Sequence, residues 1–338
     1  MDRLLPLAGL ECPHENHLHL RMCLRGVAVI ANVVSVSGGK DSTALLLLAI
    51  ERGANPIAVF ADTGHEHPLT CEYLDYLRSV LGVEIRSVRA DFTEDFARKR
   101  AYIAEKWPGK GVPQAKIDQA LAAMHPTGNP FLDMCLWKGR FPSSQVRFCT
   151  EELKVIPITT QVVLPLITQG REVWSWQGVR ADESPARAKL PEQEFTDPGI
   201  TVYRPILAWS VEQVFAMHRK HGVDPNPLYK LGMGRVGCMP CIMCRKDELR
   251  EIAQRFPAEL ERVREWERLI SEVSKCDSAT FFASSDLGIV ENDYRTQELA
   301  NIHVFAEWAK TSRGGKQYDL LKVHAPAPMC ASNYGLCE

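Results

Sequence analysis

Six consecutive residues, Ser37-Gly38-Gly39-Lys40-Asp41-Ser42, carry the features needed to hold a phosphate. They stand between an apolar run at 33–36 and a stretch containing Leu45, Leu46, Leu47 and Leu48, so a strand leads in and a helix leads out. Two glycines let the backbone approach an oxyanion, and the helix N-terminus turns its free amides toward it. Lys40 and the hydroxyls of Ser37 and Ser42 complete the cradle. The loop is not of the Walker type, which carries a further glycine ahead of Gly-Lys-Ser/Thr. The plain alternative is a tight strand-to-helix turn with a capping residue. The loop is expected to face solvent, so that Lys40 and Asp41 can be replaced without loss of the fold.

A second constellation is built of thiols. Cys238, Cys241 and Cys244 follow the spacing C-x2-C-x2-C, and Cys149 is the natural fourth member. Closely spaced thiolates can each reach a different iron of one cubane, which points to a 4Fe-4S cluster. Structural zinc, which usually takes two separated pairs, and unliganded buried thiols are the alternatives. Cys12, Cys23, Cys71, Cys135 and Cys276 are isolated, whereas Cys330 and Cys337 lie close to the C-terminus. His65 and His67 alternate beside Asp62-Thr63-Gly64 and, lacking a clear third ligand, read as substrate contacts or loop polarity rather than a metal pair.

The elements that must position these groups follow a βαβ rhythm. Strands are expected at 33–36, 56–60, 83–88 and 173–179, with helices at 42–51, 71–81 and 114–124. Such an order makes a parallel sheet with helices on both faces and ligands at the carboxyl ends of the strands, an α/β Rossmann-like fold. A polar loop at 180–198 precedes a helix at 210–221 capped by Ser210, and one long charged helix is expected at 247–274. The chain divides into a leader (1–25), a nucleotide-binding domain (26–245) with an insertion at about 104–144, and a mainly helical extension with a cysteine-containing tail (246–338).

The 338 residues, 45% hydrophobic and 24% charged with a net charge of -2, describe an ordinary globular protein with no global field for a polyanion. The apolar run at 27–36 is too short to span a bilayer, and the polar leader does not read as a secretory signal. A cytoplasmic protein is expected. Its eleven cysteines would there be reduced, and close spacing then reads as metal or redox chemistry.

Taken with Phe60-Ala61-Asp62-Thr63-Gly64, Trp176-Gln177-Gly178-Val179-Arg180-Ala181-Asp182-Glu183-Ser184, Arg204-Pro205-Ile206-Leu207-Ala208-Trp209-Ser210, Asn226-Pro227-Leu228-Tyr229 and Gly237-Cys238-Met239-Pro240-Cys241, the phosphate loop resembles that of the PP-loop adenine nucleotide α-hydrolases. Within them the chain resembles the phosphoadenosine phosphosulfate reductase branch. The resemblance implies an adenine nucleotide on residues 37–42, with Asp62, Thr63 and Gly64 near it and Arg180 and Arg187 placed to neutralise phosphate or sulfate. Cys149, ahead of Lys154-Val155-Ile156-Pro157, falls where iron-sulfur members carry cysteine. A single Cys149 and a third late thiol, Cys244, depart from the assimilatory reductases and resemble the sulfur-inserting enzymes of DNA phosphorothioation. The ending Tyr334-Gly335-Leu336-Cys337-Glu338 has residue types of the reductases' terminal nucleophile motif, in another order and without histidine, which implies Cys337 as a candidate nucleophile or persulfide carrier if its thiolate is stabilised.

Three functions follow. In the first, ATP with Mg2+ is cleaved to AMP and pyrophosphate while an acceptor such as DNA or tRNA is activated for sulfur transfer. Lys40, Asp41 and Arg180 serve catalysis, and a donor such as a cysteine desulfurase supplies sulfur. In the second, Cys337 attacks adenylyl sulfate or its 3'-phosphorylated form and a thioredoxin-like protein regenerates the thiol. The third is a nucleotide-sensing subunit without turnover. The intact loop favours the first, since the family's sulfate reductases usually carry a degraded one.

Overall fold

The computed structural model describes residues 29–197, 199–289, 294–312 and 317–318. Six strands form one sheet: β1 (Ile30–Ser35), β2 (Ile57–Ala61), β3 (Ile85–Val88), β4 (Glu172–Trp176), β5 (Gln193–Asp197) and β6 (Ile200–Tyr203), in the order β3-β2-β1-β4-β6-β5. All neighbours are parallel except β5 and β6. Strand order reverses between β1 and β4, and the crevice beyond their carboxyl ends is where an open α/β sheet takes its ligand.

Side chains alternate across β1. Val34 faces a core built from α1 (Lys40–Glu51), α2 (Pro68–Leu81) and α7 (Val211–Lys220). Ala31 and Val33 face a second core with Val162, Val163 and Leu166. Leu45, Leu46 and Leu47 are all fully buried, so α1 is apolar around much of its circumference. Each such leucine contributes roughly 1.5–3 kcal/mol relative to exposure. The second core is closed by one helical run, α6 (148–168), in which α and π turns alternate around Pro157 and Pro165. Proline donates no amide to a helical ladder, and the wider turns accommodate that loss.

A third core joins α3 (Thr93–Lys106), α4 (Gln114–Ala123) and α5 (Pro130–Lys138) to α8 (Lys246–Arg255), α9 (Pro257–Val273) and α11 (Ile302–Ala309); the short α10 (Tyr294–Leu299) precedes α11. Residues 104–144 are thus packed helices, with α4 and α5 set against α9.

The sequence-based expectations need three adjustments. The expected helix at 247–274 is two helices, because Pro257 forces Phe256 out of helical geometry (φ -130°, ψ 54°). The loop expected at 180–198 ends in β5, and the strand expected at 173–179 stops at Trp176, freeing the next residues to turn toward α1. Ser210 does cap α7, in a reciprocal box with Gln213. No helix among the described residues is long and apolar enough to cross a membrane.

Candidate active site

The phosphate loop leaves β1 and opens α1 at the reversal point of the sheet. Gly38 adopts a left-handed φ of +73°, and an added Cβ would lie 2.9 Å from Thr70 Cγ2. Ser42 folds the loop on itself: its Oγ accepts from the Ser37 amide at 3.1 Å and donates to the Gly39 carbonyl at 3.0 Å. From across the crevice, the Tyr229 hydroxyl accepts from the Lys40 amide at 2.9 Å. Asn226 Nδ2 donates to the Gly38 carbonyl at 3.1 Å, and His218 Nε2 to the Lys40 carbonyl at 2.9 Å. Gly178, just beyond β4, sits so close that a Cβ would lie 3.2 Å from the Ser42 amide nitrogen.

The expectation of a solvent-facing loop is therefore corrected. Lys40 is 6% and Arg180 3% exposed, because the 178–180 and 226–229 segments close over the loop. Asp41 joins the two cations, with Lys40 Nζ at 2.8 Å and Arg180 Nε at 2.6 Å, while Arg180 also reaches Asp182 at 2.7 Å. The site thus carries its own carboxylate between two buried cations, in the manner of a bound anion. Arg187 is turned to Glu183 on a half-exposed surface.

Beyond β2, Asp62 Oδ1 accepts from the Gly64 amide at 2.9 Å and its Oδ2 meets Arg89 Nε at 3.1 Å. Gly64 has a φ of +71°, and an added Cβ would stand 2.8 Å from Pro130 Cδ and 2.9 Å from Asn129 Oδ1. Only glycine fits there. Fully buried Thr63 donates to Glu66 Oε1 at 2.7 Å and lies 3.6 Å from Cys238 Sγ.

That contact leads into the cysteine loop. Glu66 and Cys238 form an isolated antiparallel bridge, and the Met239 amide donates to the His65 carbonyl at 2.9 Å. The Cys244 amide donates to the Cys241 carbonyl at 2.8 Å. Cys149 enters from the start of α6 and is close enough to Cys241 for their charges to interact. Burial raises the thiol pKa of Cys149, Cys244 and Cys238, the last to about 11. Lys154 is held protonated above its ordinary range, foremost by Cys238, and also senses Cys241, Cys149 and Glu66. Arg235 feels Cys241, Cys238 and Cys244. The four thiols so share one neighbourhood with two cations, although among the described residues no three His, Cys, Asp or Glu side chains gather as around a single ion.

His65 and His67 do not form a pair. His65 is fully buried with Nε2 on the Pro240 carbonyl at 2.8 Å, whereas His67 Nδ1 accepts from the Leu69 amide and caps α2. Cys330 and Cys337 lie outside the described residues. Sequence reasoning missed the roles of Asn226, Tyr229 and Gly178, whose segments it singled out, and of His218, for which it had no signal.

A glycine-rich loop opening a helix at the strand reversal of a mostly parallel sheet defines a nucleotide-binding α/β fold of the PP-loop type. Residues 31–244 match the phosphoadenosine phosphosulfate reductase domain, and the chain belongs to that family. It is 52% identical over 323 residues to an uncharacterized 37.8 kDa protein of Escherichia phage 186, covering 91% of this chain and 96% of the relative. It is 28% identical to a nin region protein of Escherichia phage lambda, covering 65% of this chain and 68% of that one. An adenosine 5'-phosphosulfate reductase of Rhodococcus opacus is 26% identical, with 62% of this chain and 68% of the relative covered.

Proposed function

We propose that this chain is an ATP-dependent enzyme of the reducing cytoplasm that forms AMP and pyrophosphate while activating an acceptor for sulfur transfer. The observation that carries the reading is the complete phosphate loop, with Lys40 and Arg180 buried on either side of Asp41. In this reaction an acceptor oxygen attacks the α-phosphorus and the bond to the bridging oxygen breaks. Pyrophosphate leaves with Mg2+, and a sulfur nucleophile then displaces AMP. Lys40, the loop amides and Arg180 stabilise the charge that develops on phosphate, and Asp62, Thr63 and Gly64 border the nucleoside side. The sulfur comes from a persulfide, as on a cysteine desulfurase, and a thiol then cleaves the remaining S–S bond. DNA or tRNA is the acceptor class considered.

Cys149, Cys238, Cys241 and Cys244 would hold a 4Fe-4S cluster. The donor set is all thiol, comes from two segments and is flanked by Lys154 and Arg235, whose charges offset those of thiolates. Bound there, the cluster would supply electron-transfer or sulfur-handling chemistry. Anaerobically purified protein is expected to be brown with about four irons per chain; stoichiometric zinc without visible absorption contradicts the assignment. Given ATP, Mg2+ and acceptor, the same preparation should release AMP and pyrophosphate in equal amounts, and release of ADP and phosphate would count against the reading.

Relatives named as adenosine 5'-phosphosulfate reductases favour a second reading. There the Cys337 thiolate attacks the sulfate sulfur, the nucleotide leaves, and a thioredoxin-like dithiol releases sulfite while becoming a disulfide.

A further inference from the structure

His65 is a polar ring in an apolar setting. It is fully buried, with ring centroids 4.3 Å from Phe131, 5.0 Å from Trp266 and 5.9 Å from Phe281. A phenylalanine would fill such a space without a desolvation cost, so packing alone does not call for histidine. Both ring nitrogens are engaged. Arg262, on α9, approaches Nδ1 at 3.2 Å, and a guanidinium has only donors, so Nδ1 must accept. The proton then sits on Nε2, which donates to the Pro240 carbonyl at 2.8 Å. Burial, with Arg262 adding to it, lowers the His65 pKa to about 3 and keeps this neutral tautomer throughout the physiological range.

Arg262 also donates to the Met239 carbonyl at 3.0 Å and is itself held by Glu259. Two successive carbonyls of the cysteine loop, those of Met239 and Pro240, are thus gripped by one donor each. The Met239 amide is bound by the His65 backbone, and Cys238 bridges Glu66. The segment between Cys238 and Cys241 is fastened at once to the loop after β2 and to α9.

We infer that His65 and Arg262 are positioning residues that set the Cys238–Cys241 loop against the Asp62–Glu66 loop, fixing how far the thiols stand from the nucleotide side of the site. The inference rests on the site reading above, but its test needs neither nucleotide nor metal.

The experiment is timed alkylation of reduced, metal-free full-length protein by iodoacetamide, read cysteine by cysteine by mass spectrometry. His65→Phe keeps an aromatic ring and removes both hydrogen bonds. Cys238 and Cys241 are expected to react about fivefold to tenfold faster than in the parent, as loss of a hydrogen bond or two implies. Cys71 and Cys276, both exposed, should keep their rates, and buried Cys135 should stay protected. His65→Gln, whose amide offers a donor and an acceptor, should restore slow labelling. Arg262→Met should reproduce the effect of His65→Phe, and it decides the matter if His65→Phe does not fold. Rates for Cys238 and Cys241 within twofold of the parent, failure of His65→Gln to restore them, or equal acceleration at Cys135 would overturn the inference. Absence of ATP turnover by the parent, with these labelling results intact, would count against the proposed function alone.

Discussion

The phosphate loop and the cysteine loop are secured in different ways. The first is held within the sheet-bearing part of the molecule, by the Asn226 and Tyr229 side chains on its backbone and by the Lys40-Asp41-Arg180 ion chain. The second spans two structural regions, stitched to the loop after β2 on one side and to α9 on the other. The difference separates two tasks. A phosphate cradle needs fixed amides and buried cations, whereas thiols that meet a second reactant need a defined distance from that cradle.

The largest expected effect falls on the phosphate loop. Lys40→Ala should lower pyrophosphate release by about a thousandfold, the scale of removing one preorganised charge-stabilising group. It should change thermal stability little, since the Asp41–Arg180 pair survives. Pyrophosphate release within tenfold of the parent would break the assignment. Asp41→Ala should behave differently, because it leaves two buried cations facing each other without their carboxylate. Its unfolding free energy should fall by about 3 kcal/mol or more in a denaturant titration, in line with breaking a buried pair. A stability equal to that of Lys40→Ala would mean that the ion chain is not formed in solution. Tyr229→Phe removes the acceptor of the Lys40 amide and should lower stability by about 1 kcal/mol while leaving thiol labelling unchanged. Faster alkylation of Cys238 in that variant would show that the two loops are not independently held.

Much of the phosphate half was legible in the sequence. Gly38, Gly39, Lys40 and Ser42 are adjacent, and a strand-loop-helix unit is a local pattern that apolar periodicity reveals. The parallel sheet followed from the alternation of strands and helices. Closure of the loop was not legible, because Arg180 and Tyr229 reach it from distant segments and nothing local shows that they bury Lys40. Cys238, Cys241 and Cys244 were readable as a group from their spacing, although among the described residues no three such side chains gather as around a single ion. What fastens them was hidden. His65 next to His67 suggests polarity or a metal, yet long-range packing sends the two rings to unrelated partners. Helix α6 has no simple periodic signal, because it holds Pro157 and Pro165 and alternates α with π turns.

The proposed activity takes ATP as the nucleotide and its α-phosphorus as the reacting atom. The most direct measurement supplies ATP, adenylyl sulfate and its 3'-phosphorylated form separately, each with Mg2+, dithiol reductant and DNA or tRNA as acceptor, to the parent chain and to Cys337→Ser. AMP and pyrophosphate are expected from ATP, unchanged within about twofold in Cys337→Ser, since adenylation requires charge stabilisation but no protein thiol. Sulfite released from a nucleotide sulfate and abolished in Cys337→Ser, with ATP left intact, would contradict it.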